Sequence, residues 1–254
     1  MNIVVCVKQV IDTEAVIDLD SAGSVIREGQ SLVMDPYAEF ALEKALQLKE
    51  SCGGSVVALA VGDQECSSLL RHALAMGADE VVLAEVDSWF EEDAAVCSAQ
   101  LAEAIASLEF DLIMGGWKSG DTASAQVMAR IASILDLPYA SMATALEPSG
   151  EGVLVTCETD EGLAVIEMQM PAVVSAQQGL AEPRYPNVRD IIQARKKPIG
   201  SCPVALGNNE DADGMKVVLR VLKAPRLGGR IVEGDVVDAV KETVSLLQLE
   251  AKVI

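Results

Sequence analysis

The chain has 254 residues, half of them apolar, and a formal net charge of -20 at pH 7. A chain of this length and composition can bury one sizeable core with a short appended segment. The negative charge repels phosphate backbones and anionic lipid headgroups, which argues against nucleic-acid binding and against a membrane-surface role.

Four buried strands alternate with four helices in the first half of the chain. The strands are predicted at 2–7, 55–61, 80–86 and 111–116, and the helices at 36–49, 64–76, 92–107 and 122–135. The strands are almost uniformly apolar, as in parallel sheets that are covered on both faces. This alternation with short connections predicts an α/β fold with a doubly wound, mostly parallel, Rossmann-like sheet.

The pattern changes after residue 138, where strands follow one another without long helices. These strands are predicted at 139–147, 152–157, 163–169 and 172–176, and a basic helical stretch at 189–197. Residues 200–214 are polar and aperiodic, which is typical of a linker, and a strand at 215–222 and a helix at 235–249 follow. We therefore predict one domain over residues 1–199. The remainder, 200–254, is too short for its own core and is expected to pack on this domain or on another chain.

The sequence gives no support for a membrane helix, a metal site or catalysis by a histidine. The chain opens with the strand-like IVVCV and has no apolar run of the ~20 residues that a membrane helix needs, so we expect a cytoplasmic protein without membrane insertion. The six cysteines show no CxxC spacing, so no metal site is expected. His72, the only histidine, lies inside a predicted helix, which argues against Ser-His-Asp or Cys-His chemistry.

The segment GGWKSGDTASAQV, residues 115–127, is the strongest candidate for a ligand site. It lies at a predicted strand-to-helix turn and joins a glycine pair to Lys118 and to several hydroxyl side chains, and backbone amides at such turns can hold phosphate. The segment matches neither a Walker loop nor a GxGxxG motif. An ordinary helix capped by Asp121 or Thr122 is the alternative. Trp117 could stack on an adenine or flavin ring, or could simply cover the core.

A basic segment over residues 181–199 differs from the acidic background of the chain. Pro183 and Pro186 stiffen it, and the apolar Val188 lies among charged residues. Its cations are Arg184, Arg189, Arg195, Lys196 and Lys197. This pattern is typical either of a solvated amphipathic helix or of a protein-docking element with one apolar anchor.

Taken in order, these motifs resemble the electron transfer flavoprotein beta subunit across nearly the whole chain. The matching stretches are CVKQVID (6–12), MDPYAEFALEKALQLKE (34–50), RHALAMGAD (71–79), GGWKSGDTASAQV with the following LDLP (115–138), MPAVVS (170–175) and EPRYPNVRDIIQARKKPI (182–199). The resemblance implies a heterodimer with an alpha subunit that carries the redox FAD, and a C-terminal arm that embraces that subunit. It also implies an adenine nucleotide in this chain's own sheet, which is AMP or, in electron-bifurcating members, a second FAD.

Carried over residue by residue, the resemblance implies two sets of site residues. The nucleotide contacts would be Cys6, Asp35, Pro36, Tyr37, Ala38, Val61, Gly116, Trp117, Lys118, Ser119, Gly120, Asp121, Thr122, Ala123, Ser124, Ala125, Gln126 and Val127. The docking residues of a recognition loop over 183–196 would be Pro183, Arg184, Tyr185, Val188, Arg189, Arg195 and Lys196. Val188 stands where the family has an anchoring leucine, and Asp35 stands where it usually has asparagine.

The function implied by the resemblance is that of an electron carrier subunit rather than a stand-alone enzyme. Electrons would come from an acyl-CoA dehydrogenase-type flavoenzyme and pass to a membrane-bound or other acceptor. Two alternatives stay open. An electron-bifurcating subunit would oxidise NADH through its own FAD and give two flavins per heterodimer. A nucleotide-sensing protein of the same fold would do no redox work and would be stable alone.

Overall fold

The computed structural model describes residues 1–86, 93–204, 215, 217–224 and 228–254. The strands are β1 (Asn2–Cys6), β2 (Gln9–Ile11), β3 (Leu32–Met34), β4 (Ser55–Gly62), β5 (Glu80–Glu85), β6 (Leu112–Gly116), β7 (Tyr139–Ser149), β8 (Gly152–Thr159), β9 (Gly162–Gln169), β10 (Ala172–Ala176) and β11 (Gly200–Pro203). The helices are α1 (Pro36–Cys52), α2 (Ser67–Met76), α3 (Ala94–Ala106), α4 (Val127–Ile134), α5 (Val188–Ala194) and α6 (Val236–Leu246). A 3-10 turn at Gln64–Cys66 precedes α2, and a π turn at Leu247–Ala251 follows α6.

The main sheet of this described part has nine strands in the order β11-β5-β4-β1-β6-β10-β7-β8-β9. The strands from β11 to β7 run parallel to their neighbours, and β8 and β9 extend the sheet as an antiparallel hairpin. A separate short hairpin pairs β2 with β3. The predicted α/β fold with a mostly parallel sheet is therefore confirmed.

Alternate residues of the central strand β1 face two different helical layers. Ile3 and Val5 pack into the cluster that contains α1 and α2, whereas Val4 and Cys6 pack into the cluster that contains α3 and α4. Both faces of the strand are thus removed from water. This two-sided burial explains why the strand is apolar at every position rather than at every second one.

The strand order places a crevice beside β1. The chain winds outward from β1 to β4 and β5, then crosses through α3 to β6 on the other side of β1. The connections that follow β1 and β6 lead to opposite faces of the sheet, because α1 packs on one face and α4 on the other. Such a switch point leaves room for a ligand beyond the carboxyl ends of the strands.

The predicted helix at 122–135 begins five residues late, at Val127. Residues 123–126 have no helical structure, and Ala123 and Ala125 adopt left-handed φ values of 50° and 54°. Neither Asp121 nor Thr122 caps the helix, whose N-cap is Gln126, so the alternative of an ordinary helix capped by one of them is excluded. The Asp121 carboxylate is instead held by Lys8, at 2.6 Å. The connection between β6 and α4 is therefore a longer, open loop.

The C-terminal predictions also need correction. Residues 200–203 of the predicted linker form β11, which pairs in parallel with β5, while 205–214 lie outside the described residues. The strand predicted at 215–222 is absent from its described residues, 215 and 217–222, and Val218 and Leu219 are 90% and 77% exposed. The apolar residues that suggested a strand therefore lie on the surface. Helix α6 is present as predicted, and none of its residues is buried.

Candidate functional site

The carboxyl ends of β1, β4 and β6 border one pocket, and the first turns of α1, α3 and α4 flank it. This pocket lies at the switch point between β1 and β6. The pocket has a volume of about 90 Å³. Because sites that enclose a small ligand usually hold ~300–1,000 Å³, a nucleotide bound here would extend beyond this pocket.

Most residues of the predicted nucleotide set line this pocket. They are Cys6, Asp35, Ala38, Val61, Gly116, Trp117, Lys118, Ser119, Thr122, Ser124, Ala125, Gln126 and Val127. Pro36, Tyr37, Gly120, Asp121 and Ala123 lie beside these residues in the chain but outside the lining. The lining also contains residues outside the predicted nucleotide set: Val7, Lys8, Ala94, Cys97, Leu101 and Met128. Val7 and Lys8 directly follow β1, and the position of a strand end is the signal in the sequence that points to them.

Asp35 joins the start of α1 to the loop after β6. Its Oδ1 caps α1 by accepting the Tyr37 N–H at 3.0 Å, and its Oδ2 accepts the Gly120 N–H at 2.6 Å. The side chain is 1% exposed, and burial raises the pKa of this carboxyl against the opposing effect of its N–H donors. The Gly120 amide is therefore bonded within the protein and is not available to a ligand phosphate.

Lys8 and Asp121 neutralise one another at the rim of the pocket. The Lys8 ammonium lies 2.6 Å from the Asp121 carboxylate and also donates to the Ser119 hydroxyl at 3.3 Å. Burial pushes the pKa of Asp121 upward, but Lys8 and the hydrogen bonds outweigh it, so the pKa is lowered. Asp121 is thus an anion that fixes the loop rather than a proton donor.

The first turn of α4 offers donors for an anion. Gln126 occupies the N-cap position but makes no side-chain capping bond, because its Oε1 accepts from Arg130 at 3.0 and 3.1 Å. The amides of a first helical turn have no partner within the helix, and they carry the positive end of the helix dipole. Gln126, Val127 and Met128 line the pocket. This end of the pocket therefore suits a phosphate group.

A small cluster beside the end of β6 contains Lys118 and two aromatic rings. The Lys118 ammonium lies 4.5 Å from the ring centroid of Trp117 and 5.6 Å from that of Tyr37. The two rings meet edge to face at 5.8 Å. Since the cation already occupies a face of Trp117, stacking of this ring on a ligand base would require Lys118 to move.

Two thiols lie in the pocket lining, and both are unreactive at neutral pH. Burial raises the pKa of Cys6 to about 12 and that of Cys97 to about 11. Both are therefore neutral at pH 7, and the neutral thiol is neither a good nucleophile nor a metal ligand. The described residues contain no cluster of histidine, cysteine and carboxylate side chains suited to a metal ion.

Gly116 is a glycine of this site at which a side chain would be crowded. A Cβ there would lie 2.7 Å from the Tyr37 Cβ and 3.1 Å from the Lys118 carbonyl oxygen, whereas a Cβ on Gly120 would meet nothing closer than 3.5 Å. We expect Gly116→Ala to cost ~1–3 kcal/mol through overpacking against backbone and to lower the nucleotide content of the purified protein. Gly120→Ala is the matched control, expected within ~0.5 kcal/mol of the parent. Thermal unfolding measures the stability of both variants. Equal losses of stability in Gly116→Ala and Gly120→Ala would contradict the tight packing of Gly116.

The predicted docking residues lie around α5, which packs against α2. Tyr185 and Val188 are 98% and 74% exposed, and Arg189, Arg195 and Lys196 are exposed as well. Pro183 is half-buried. Arg184 differs from the rest, because its guanidinium forms ion pairs with Glu43 and Glu50 of α1.

Comparison with known proteins gives one consistent family. The family model for the electron transfer flavoprotein domain matches residues 22–206. The chain is 37% identical to the electron transfer flavoprotein subunit beta of Bacillus subtilis over the whole of both chains. It is 39% identical to that of Syntrophomonas wolfei over 83% of this chain and 82% of the relative. It is also 33% identical, over 94% of this chain and 95% of the relative, to the caffeyl-CoA reductase-Etf complex subunit CarD of Acetobacterium woodii.

Proposed function

Because the chain belongs to the electron transfer flavoprotein family as a beta-type subunit, we propose that it holds an adenine nucleotide in the pocket beyond β1, β4 and β6 and carries electrons together with an alpha subunit. The supporting observation is the uncapped first turn of α4 at a sheet switch point. Family membership implies an alpha subunit as partner.

The residues around the pocket fit the phosphate-bearing part of a nucleotide. The first turn of α4 would donate backbone N–H groups to a phosphate, and Lys118 lies in the same lining as a cation. Gly116 brings the backbone of β6 against α1 without a side chain in between. The apolar walls at Cys6, Val61 and Leu101 suit the flat surface of a base.

The redox chemistry would be supplied by FAD, which accepts and donates electrons at its isoalloxazine ring. We place that FAD mainly on the alpha subunit, and we assign this chain the roles of nucleotide binding and partner docking. The electron donor would be a flavoenzyme of the acyl-CoA dehydrogenase type, bound at the recognition loop 183–196. The arm that follows β11 would embrace the alpha subunit, since α6 and the described residues before it expose apolar side chains.

A second candidate is an electron-bifurcating subunit, in which the pocket holds FAD and NADH is the electron source. It is favoured by the likeness to a relative named as part of a caffeyl-CoA reductase-Etf complex.

Nucleotide content distinguishes the two candidates. The chain would be co-expressed with its alpha subunit, the heterodimer denatured with acid, and the released FAD and AMP quantified per heterodimer. One FAD with one AMP supports the carrier, and two FAD without AMP support the bifurcating subunit. One FAD with no further adenine nucleotide would contradict the assignment of this pocket.

A further inference from the structure

The recognition loop presents an apolar stripe to solvent. Val188 and Ile192 are four residues apart on α5 and so share one side of the helix, and Tyr185 lies two residues before the N-cap Asn187. Tyr185, Val188 and Ile192, which we call the apolar stripe, are 98%, 74% and 51% exposed. Ile191 beside them is 40% exposed. The sequence analysis identified only Val188 as an apolar anchor, but the structure extends the surface to four side chains.

Arg184 fixes the beginning of this loop to α1. Its Nε and Nη2 donate to the two oxygens of Glu43 at 2.7 and 2.9 Å, and its Nη1 donates to Glu50 at 2.5 Å. The Arg184 backbone N–H also donates to Glu43, at 3.3 Å. These hydrogen bonds raise the pKa of the guanidinium and lower that of the Glu50 carboxyl, so both groups are charged at neutral pH.

Glu43 is a buried ion-pair partner of Arg184 rather than a surface carboxylate. The residue is 3% exposed, and Gln47 donates to it at 2.9 Å in addition to the donors from Arg184. A buried carboxylate is costly unless it is paired and hydrogen-bonded, and the bidentate geometry meets that requirement. The guanidinium of Arg184 is thus held by α1, while its side chain stays 36% exposed.

A second anchor holds the end of the loop. Arg71 of α2 donates from Nη1 to the Ala194 carbonyl at 2.7 Å and to the Lys197 carbonyl. The Lys197 ammonium in turn donates to the carbonyls of Ala78 and Asp79, at 3.3 and 3.1 Å. The carbonyl group of Ala194, the last residue of α5, is therefore bonded to the side chain of another helix.

We propose that Arg184 and Arg71 are positioning residues that hold the stripe Tyr185–Val188–Ile192 in one orientation before a partner binds. Helix α5 has only seven residues, and isolated helices of that length are not stable in water. The two anchors therefore set the position of the helix, and a surface that is already ordered loses less conformational entropy on binding. Arg184 acts through the loop and not by contact with the partner.

The partner that fits this surface is the electron-donating flavoenzyme, so the inference rests on the proposed function. The stripe is flanked by the exposed cations Arg189, Arg195 and Lys196 on a chain whose net charge is -20. An apolar recess with carboxylates at its rim is complementary to such a surface. The resemblance implies that Arg184 is a docking residue, and we propose that it positions the loop.

The test uses the heterodimer with the variants Glu43→Gln and Arg71→Met, and with Glu50→Gln as a milder change at a half-exposed position. Glu39→Gln, one turn earlier on α1, is the matched control; its carboxylate lies 3.3 Å from His72, away from the loop. Amide hydrogen exchange of residues 184–197 and the kinetics of flavin reduction by an acyl-CoA dehydrogenase are measured for each. Flavin and nucleotide content are measured alongside.

We expect Glu43→Gln and Arg71→Met to speed exchange in 184–197 at least about tenfold while β1 and β6 exchange as in the parent. The KM for the dehydrogenase should rise about fivefold or more, and the turnover at saturation and the cofactor content should stay unchanged. Glu50→Gln should shift both quantities in the same direction by less, and Glu39→Gln by neither.

Unchanged exchange in Glu43→Gln and Arg71→Met would overturn the anchoring role, and faster exchange with an unchanged KM would overturn its importance for docking. If Glu43→Gln does not fold, Arg71→Met and Glu50→Gln decide both points. Val188→Asp separates this inference from the proposed function. If that variant couples normally, docking at this loop itself is wrong, whereas impaired coupling in Val188→Asp with normal coupling in the anchor variants rejects only the anchors.

Discussion

Replacing Val188 by aspartate is expected to slow flavin reduction by the donor dehydrogenase about tenfold or more. Val188 is 74% exposed in the middle of the apolar stripe on α5. An anchor side chain in the centre of an interface commonly contributes ~2 kcal/mol or more, and each ~1.4 kcal/mol is a factor of ten in affinity. A carboxylate at this point would also have to be desolvated against the partner.

The measurement is the rate of dehydrogenase-coupled flavin reduction in the heterodimer, at dehydrogenase concentrations below the KM. Flavin content and reduction by dithionite should stay normal, because the loop lies apart from the pocket. Val16→Asp is the matched control, since Val16 is 84% exposed on the connection between β2 and β3. Arg189→Glu and Arg195→Glu should have smaller effects that fade at high salt. Normal coupling in Val188→Asp, or slow coupling explained by missing flavin, would reject docking at this loop.

Removing residues 228–254 is expected to abolish pairing with the alpha subunit while leaving the α/β domain folded. Helix α6 buries none of its residues in this chain, and Val236, Val237 and Val240 are 75%, 60% and 56% exposed. The deletion therefore removes little that stabilises the domain. If these side chains are covered by the alpha subunit, their loss should weaken the heterodimer at least about a hundredfold, which corresponds to ~2.7 kcal/mol.

Co-purification with a tagged alpha subunit measures pairing, and thermal unfolding of the shortened chain measures the domain. We expect the midpoint to move by no more than about 3 °C and the shortened chain to aggregate less than the isolated full chain, since an exposed apolar helix is gone. A control chain with Val236, Val237 and Val240 changed to serine keeps the length and should lose pairing to a similar degree. A shortened chain that still pairs in stoichiometric amounts would contradict this role of the arm.

The sequence predicts the sheet of this protein well, because buried parallel strands leave an unmistakable pattern. Val4 and Val5 point into different helical layers, so β1 must be apolar throughout. The short hairpin β2–β3 leaves no such pattern, since three residues are too few to show a period. The strand predicted at 215–222 was wrong in its described part for the opposite reason. Its apolar residues are exposed, and a local pattern cannot distinguish a surface for a partner from a buried strand.

The site could be located from the sequence, but its internal bonds could not. Gly116 and the residues that follow it were identified from a glycine-containing turn. Asp121 does not cap a helix, because its carboxylate pairs with Lys8, which lies 113 residues away along the chain. The ion pair of Arg184 with Glu43, which is 141 residues distant along the chain, could not be predicted either. Long-range ion pairs depend on the packing of whole elements, and no periodicity or local motif reveals them.

We expect this chain to take part in electron transfer only as one half of a flavoprotein, and one titration tests this most directly. The heterodimer is mixed under anaerobic conditions with a catalytic amount of acyl-CoA dehydrogenase and its substrate, and in a second cuvette with NADH, while the flavin absorbance is followed. We predict that the flavin is bleached completely in at least one of the two and that the isolated chain shows no such reaction. A heterodimer whose flavin is reduced by dithionite but by neither donor would contradict the proposed role in electron transfer.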